Sequence, residues 1–263
     1  MVASEEYQKP KVASMSPQEK KEFMSKLNLT VPEQERDKYL ELILENHDVF
    51  SRHKFDIGAA NHYTHKINLK NDSPVYVKQF RIPDAHREQL HKQIHEWLKH
   101  GIIDRARSPY NCSIFMVPKK NGQLRIVQDF RALNANSHIE KYSMKCVSEC
   151  IGDIGRAGST IFSTFDLTSS FYQMKLDKKS QDYTAFTVPG LGSFKWLRCP
   201  QGLSSAPSGL QRLFELCLLG LEAFTLIYID DALLHAKTHE QHRKDLRVFF
   251  NSCLLYTSPS PRD

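Results

Sequence analysis

The sequence predicts an α+β fold: a small, mostly antiparallel sheet packed on helices. Three observations carry this expectation. The stretch Phe224-Thr225-Leu226-Ile227-Tyr228-Ile229-Asp230-Asp231-Ala232-Leu233-Leu234 enters two adjacent carboxylates from one apolar run and leaves them in another. Both runs are short and rich in strand-forming residues, the pattern of two strands joined by a tight turn. A second strand-like run, Ile161-Phe162-Ser163-Thr164-Phe165-Asp166-Leu167, carries a lone carboxylate near its end. Apolar stripes at helical spacing occur elsewhere, as at Leu90, Ile94, Trp97 and Leu98, and at Leu210, Leu213, Phe214, Cys217 and Leu218.

At 263 residues and 40% hydrophobic content the chain has material for one large domain or two small ones. Lys and Arg exceed Asp and Glu by 36 to 30, a net charge of +6 that suits a polyanionic partner without requiring one. The six cysteines form no Cys-x-x-Cys pair, and Cys146 and Cys150 have no matching histidine pair, so reduced structural cysteines are expected. No leading apolar run marks a signal peptide and no apolar stretch of about 18 residues marks a membrane span.

In chain order, residues 1–32 are polar, contain Pro10 and Pro17, and read as a flexible lead-in. Residues 33–46 read as a helix with Leu40, Ile43 and Leu44 on one stripe. From His62 to Arg81 the pattern is extended, with Ile67 and Leu69, then Val75 and Val77, alternating with polar neighbours. Asp84 reads as the N-cap of the next helix and Gly101 as its stop. A strand around Ile114 and Met116 turns at Lys119-Lys120-Asn121-Gly122 and returns through Leu124-Arg125-Ile126-Val127, giving a basic hairpin tip. A helix is expected from Val147 to Ile154, ending near Gly155 or Gly158. Lys178, Lys179, Asp182 and Tyr183 read as a polar turn. Strands over 184–188 and 194–197 flank the Pro189-Gly190 and Leu191-Gly192 turn and are expected to join the acidic runs in one sheet. A helix starts at Ser205 or Ala206, with Pro207 tolerated in its first turn. Thr238 to Phe250 reads as helix, and residues 251–263, with Ser258-Pro259-Ser260-Pro261, as a non-native or frameshifted tail.

Several histidine groups invite a metal reading. His62 and His65 lack companion ligands, His91 and His95 are expected to face solvent, and His235, His239 and His242 lack a fourth ligand and read as a polar surface. The carboxylates differ. If the two acidic runs share a sheet, Asp166 comes beside Asp230 and Asp231, and three carboxylates on rigid sheet edges suit hard divalent cations, magnesium above all. Two such ions can hold an attacking hydroxyl and a leaving phosphate in line, which points to phosphoryl or nucleotidyl transfer.

Tyr228-Ile229-Asp230-Asp231 resembles the Tyr-X-Asp-Asp box of reverse transcriptases, and Asp166 resembles that family's isolated first aspartate. Ser108-Pro109-Tyr110, Asp129-Phe130-Arg131-Ala132-Leu133-Asn134 and Pro200-Gln201-Gly202 resemble further boxes in the family's order. Together they span roughly residues 39–250 and are most similar to the polymerases of long-terminal-repeat retrotransposons of the Ty3/gypsy class. The resemblance implies a right-hand polymerase without its thumb: an N-terminal extension over 33–83, fingers and junction over 84–165, and palm over 166–250.

It also implies an RNA-directed DNA polymerase that joins a deoxynucleoside triphosphate to a primer 3′-hydroxyl. Two divalent cations, most simply Mg²⁺, would be held by Asp166, Asp230 and Asp231. Arg125, four residues before Asp129, would bind the dNTP triphosphate with either Lys119 or Lys120. Phe171, five residues beyond Asp166, would be the steric gate against a ribose 2′-hydroxyl, and Gln201 would contact the incoming nucleotide. Arg131 and Asn134 would hold the fingers–palm junction and template strand. The sequence departs from the family at Gln128, where many relatives have valine, and over residues 137–144, where many have a proline-rich turn. The implied partners are an RNA or DNA template with primer and the thumb, ribonuclease H and integrase domains of a parent polyprotein, with no membrane. The implied setting is intracellular, in cytoplasmic retroelement particles, and very weak or absent processive polymerisation is expected of residues 1–263 alone. Two alternatives share these residues: a DNA-templated polymerase, and a non-catalytic nucleic-acid-binding remnant.

Overall fold

The computed structural model describes residues 15–58, 60, 63–119, 122, 124–139, 142 and 146–257. Lys120, Asn121 and His62 lie outside the described residues, as do the first part of the lead-in and the Ser-Pro end of the tail.

The lead-in is not wholly irregular. Helix α1 (Pro17–Ser25) starts at a capping box in which Ser16 Oγ accepts from Glu19 N–H at 3.3 Å and Glu19 Oε2 accepts from Ser16 N–H at 2.9 Å. Each side chain satisfies an amide that the first helical turn leaves without a partner. Phe23 of α1 meets Phe50 edge-on at 5.4 Å. Helix α2 (Glu33–Glu45) buries Tyr39, Leu42 and Ile43. The extended stretch that follows contributes β1 (Thr64–His65) and isolated bridges at Leu69 and Tyr76.

Helix α3 (Asp84–Lys99) buries Leu90, Ile94 and Trp97. Its N-cap is Pro83; Asp84 is the first helical residue and pairs with Arg87 at 3.0 Å. Of the two histidines expected in solvent, His95 is exposed, whereas His91 is half-buried with its Nε2 3.0 Å from the Pro189 carbonyl. A short strand β2 (Ile103–Arg105) follows, then the hairpin β3 (Ile114–Pro118) and β4 (Leu124–Gln128), and helices α4 (Arg131–Ala135) and α5 (Val147–Ala157). Gln128 is buried with both ends of its amide bonded: Nε2 donates to Thr184 O (2.9 Å), and Oε1 accepts from Trp196 Nε1 (2.6 Å).

After β5 (Ile161–Asp166) come a single helical turn α6 (Ser170–Gln173), β6 (Lys175–Leu176), and α7 (Lys178–Tyr183). The polar run expected to be a turn is thus a helix, because Asp177 caps it by accepting from Lys179 N–H and Ser180 N–H. Strands β7 (Phe186–Val188) and β8 (Gly192–Trp196) lead to α8 (Ala206–Cys217), the hairpin β9 (Thr225–Tyr228) and β10 (Asp231–Ala236), and α9 (His239–Thr257).

The strands do not form one sheet. β5-β10-β9 is antiparallel throughout, and β2-β8-β7 is a second antiparallel sheet. The expectation of a single sheet fails because β8 takes β2 as its partner, with Ile103 opposite Trp196. That pairing buries Phe186, Val188, Phe194 and Trp196 and sets Trp196 against Trp97 at a ring separation of 4.8 Å. β3-β4 and the parallel pair β1-β6 are separate two-stranded ladders. One hydrophobic core nonetheless runs from α2 to α9. At one close approach, a side chain on Gly209 of α8 would put its Cβ 2.5 Å from His65 Nδ1, so only glycine lets β1 sit against this helix.

Helix α9 continues past the expected end at Phe250 to Thr257, with Phe249, Phe250 and Leu254 buried. The histidines at the end of β10 and in α9 are not the expected polar surface. His235 is buried with Nδ1 2.9 Å from Ser159 Oγ, and His242 is 1% exposed. The Tyr39 hydroxyl lies between His239 Nδ1 at 3.2 Å and His242 Nδ1 at 2.9 Å. Around it Arg243 pairs with Glu35, and Arg247 pairs with Glu45 at 3.0 Å. The histidines therefore help join α2 to α9, which the 3.6-residue periodicity of α9 alone does not reveal.

Burial, with positive charge at His239, Arg243 and His235, pushes His242 down to about 4. The unfolded chain takes up this proton near pH 6.5 and the folded chain only near 4, so stability falls as pH falls through that window. The loss expected is about 2–3 kcal/mol. Urea unfolding between pH 7 and 4 measures it, and His242→Phe should flatten that part of the profile.

Candidate active site

The acidic site is built by strand register. β5 and β10 run antiparallel with Asp166 directly opposite Asp231, and β9 closes on β10 with Tyr228 opposite Asp231. Ile229 and Asp230 are left as a two-residue hairpin loop. Such loops match strand twist only with positive φ at one or both positions, usually supplied by glycine or asparagine. Here Ile229 takes φ +59°, a conformation that costs a β-branched residue about 1–3 kcal/mol. The loop is tied to the neighbouring strand, since the Asp230 carbonyl accepts from Leu167 N–H at 3.0 Å.

Asp166 and Asp231 are exposed and Asp230 is half-buried. Like charges directly opposite across a strand pair are destabilising, and a cation between them removes that cost. The donor set fits a hard divalent ion, being oxygen-only and on two adjoining strands. Among the described residues, however, no three His, Cys, Asp or Glu side chains converge as a ready ligand cluster. Register brings these carboxylates to one sheet end without closing a cage around an ion.

The other expected residues lie on different elements. Phe171 follows β5 in α6, after Ser169 at φ +52°, and is half-buried against the core. Arg125 is exposed on β4 opposite Val117, and Lys119 is exposed just beyond β3. Among the described residues β3 and β4 pair only with each other, and no strand register there fixes these cations relative to the carboxylates. Lys54 adds to the positive charge here: desolvation and the nearby Lys119 ammonium lower its pKa. Nothing in the local sequence around Lys54 signals this proximity.

Gln201 is exposed in the loop before α8, and Asn134 clamps that loop. Asn134 Nδ2 donates to Gly202 O at 2.9 Å, while Oδ1 accepts from Ser204 N–H at 3.0 Å. Gly202 has φ +100°, and a Cβ there would lie 3.4 Å from the Phe130 ring. Arg131 instead turns back on Asp129 through two bonds, Nε to Oδ1 at 2.9 Å and Nη2 to Oδ2 at 2.7 Å, which hold that carboxyl below its usual range. The box at 129–134 therefore joins the end of β4 to the Gln201 loop.

The family profile described as "Reverse transcriptase (RNA-dependent DNA polymerase)" matches residues 117–257, more than half of the chain. The chain belongs to the reverse transcriptase family. It is 30% identical over 252 residues to the retrovirus-related Pol polyprotein from transposon 412 of Drosophila melanogaster, covering 93% of this chain and 20% of that protein. It is also 30% identical over 227 residues to the enzymatic polyprotein of cauliflower mosaic virus, covering 84% of this chain and 32% of that one. The chain thus falls in the retroviral and retrotransposon branch of the reverse transcriptase family, consistent with the Ty3/gypsy resemblance, and spans about a fifth of the Drosophila polyprotein.

Solved structures agree on the fold. The prototype foamy virus protease–reverse transcriptase aligns with a TM-score of 0.78 at 23% identity, over 94% of this chain and 33% of that one. The foamy viral protease–reverse transcriptase in complex with dsDNA aligns with a TM-score of 0.75 at 25% identity, over 94% of this chain and 49% of that one. The architecture is accordingly the α+β fingers–palm fold of reverse transcriptases. Among the described residues no helix is long and apolar enough to cross a membrane.

Asn134→Ala should release the Gln201 loop at a cost of about 1 kcal/mol, since water can reach the freed groups. Urea unfolding reads the stability, and amide exchange at Ser204 should quicken. Asn134→Asp keeps the acceptor and should preserve the Ser204 protection.

Proposed function

We propose that this chain carries the nucleotidyl-transfer centre of an RNA-directed DNA polymerase. The observation that carries the proposal is the register placing Asp166 opposite Asp231, with Asp230 in the adjoining loop. In the proposed reaction the primer 3′-oxygen bonds to the α-phosphorus of a dNTP, the α–β bridging bond breaks, and pyrophosphate leaves. Asp166 and Asp230, supported by Asp231, would hold two divalent cations, most simply Mg²⁺. Such ions, when bound, favour ionisation of the primer hydroxyl and offset charge on the phosphates.

Arg125, with Lys119 or Lys120, orients the triphosphate, their positive charge offsetting that of the phosphates. Phe171 excludes a ribose 2′-hydroxyl by ring volume, and Gln201, on the loop clamped by Asn134, contacts the incoming nucleotide. The partners are an RNA or DNA template with primer and the thumb, ribonuclease H and integrase domains of a parent polyprotein. The setting is intracellular, in cytoplasmic retroelement particles. A second reading, a non-catalytic nucleic-acid-binding remnant, is favoured by the lack of a converged ligand cluster among the described residues.

Primer extension on RNA and DNA templates with Mg²⁺, by this chain and by a longer polyprotein containing it, separates these readings. Asp230→Asn should lower extension by about 10²–10³-fold while leaving primer–template binding in place. Binding without extension in any form would favour the remnant.

Phe171→Ala should shift the ratio of ribonucleotide to deoxynucleotide incorporation upward by about 10-fold or more. An unchanged ratio in a folded variant would remove Phe171 from the gate.

A further inference from the structure

We infer that Gln211 is a positioning residue for the acidic hairpin, holding the Ile229 turn and thereby setting where Asp230 and Asp231 stand. The inference rests on the nucleotidyl-transfer reading of those carboxylates. Gln211 is 6% exposed in α8, whose other buried residues are all apolar or glycine. A buried amide needs partners at both ends. Gln211 Oε1 accepts from Ile229 N–H in a long bond of 3.4 Å, and Nε2 donates to Glu215 Oε1 at 3.2 Å, one turn along the helix. Glu215 Oε2 accepts in turn from Tyr142 OH, and the Arg212 guanidinium lies 5.3 Å over the Tyr142 ring.

The carboxylate fixes the orientation of the amide. An ionised Glu215 only accepts, so the Gln211 NH₂ group must face it and the carbonyl must face the turn. Ile229 is a loop residue outside the β9–β10 ladder and holds φ +59°, a backbone state that persists only where its surroundings impose it. Two bonds do so from opposite sides: Leu167 N–H to the Asp230 carbonyl from the β5 side, and Ile229 N–H to Gln211 from the α8 side. Loss of Gln211 leaves the turn held from one side, with Asp230 free to drift from Asp166.

The test uses the whole chain labelled with ¹⁵N-isoleucine, following amide exchange at Ile229 and Mn²⁺ binding by electron paramagnetic resonance. Gln211→Met should abolish protection of the Ile229 amide and weaken Mn²⁺ binding about 10-fold. Gln211→Glu combined with Glu215→Gln restores an acceptor toward Ile229 and a donor behind it, and should bring both readouts within about 2-fold of the wild type. Unchanged exchange and affinity in Gln211→Met, or no recovery in the double variant, overturns the inference. Should the Met variant fail to fold, the wild type decides: an Ile229 amide exchanging at the rate of an open loop overturns it. Asp230→Asn separates this from the underlying reading. Mn²⁺ binding undiminished there removes the metal centre, while Ile229 exchange still reports on Gln211.

Discussion

Antiparallel pairing of β5 with β10 is the constraint on which the site depends. Six consecutive partners, from Asp231–Asp166 to Ala236–Ile161, fix the register. A slip of one residue would turn every side chain on a strand to the opposite face, and the burial pattern forbids that. Leu234 is fully buried while Phe165 on the neighbouring strand packs on Phe249 and Phe250 of α9, at ring separations of 5.3 and 5.6 Å. Hydrophobic packing on one side of the sheet therefore fixes where the charged ends meet. The mutual repulsion of the carboxylates is sustained by a core that has nothing to do with their chemistry.

The surrounding parts act as braces on that arrangement. Helix α8 supports the hairpin through Gln211, the Asn134 clamp fixes the loop leading into α8, and Asp129 with Arg131 shapes the start of α4. A buried amide side chain bonded at both its nitrogen and its oxygen is held in one orientation, because turning it over leaves groups unpaired at a cost of about 1–3 kcal/mol. Gln128 belongs to the same class: its two bonds tie the end of β4 to Thr184 and Trp196.

The local periodicities made most of the elements legible. The acidic hairpin, the β3–β4 hairpin, α3 and α8 follow from runs whose alternation or helical stripe is strong, and the five ordered boxes made the family legible. What escaped were features decided by distant contacts. The split into two sheets depends on β8 choosing the three-residue strand β2, which has too few residues to show alternation. The histidines of α9 read as surface because their partner, Tyr39, lies about two hundred positions away. Gln211 could have been flagged, since a polar residue within an apolar helical stripe is a mismatch that asks for a partner. Lys54 beside Lys119 could not, as no local pattern links them.

The union of α2 with α9 has a bearing on how the chain is made. Tyr39 and His242 are 203 positions apart, so the first buried helix meets its partner only after 203 further residues have been synthesised. At common translation speeds that interval is roughly 10–40 s, far longer than the formation of a helix. During it, the apolar side of α2, with Leu42 and Ile43, emerges from the ribosome before the surface that will cover it exists. Nascent chains are therefore exposed to chaperones or to wrong partners at this segment until α9 follows it out of the ribosome.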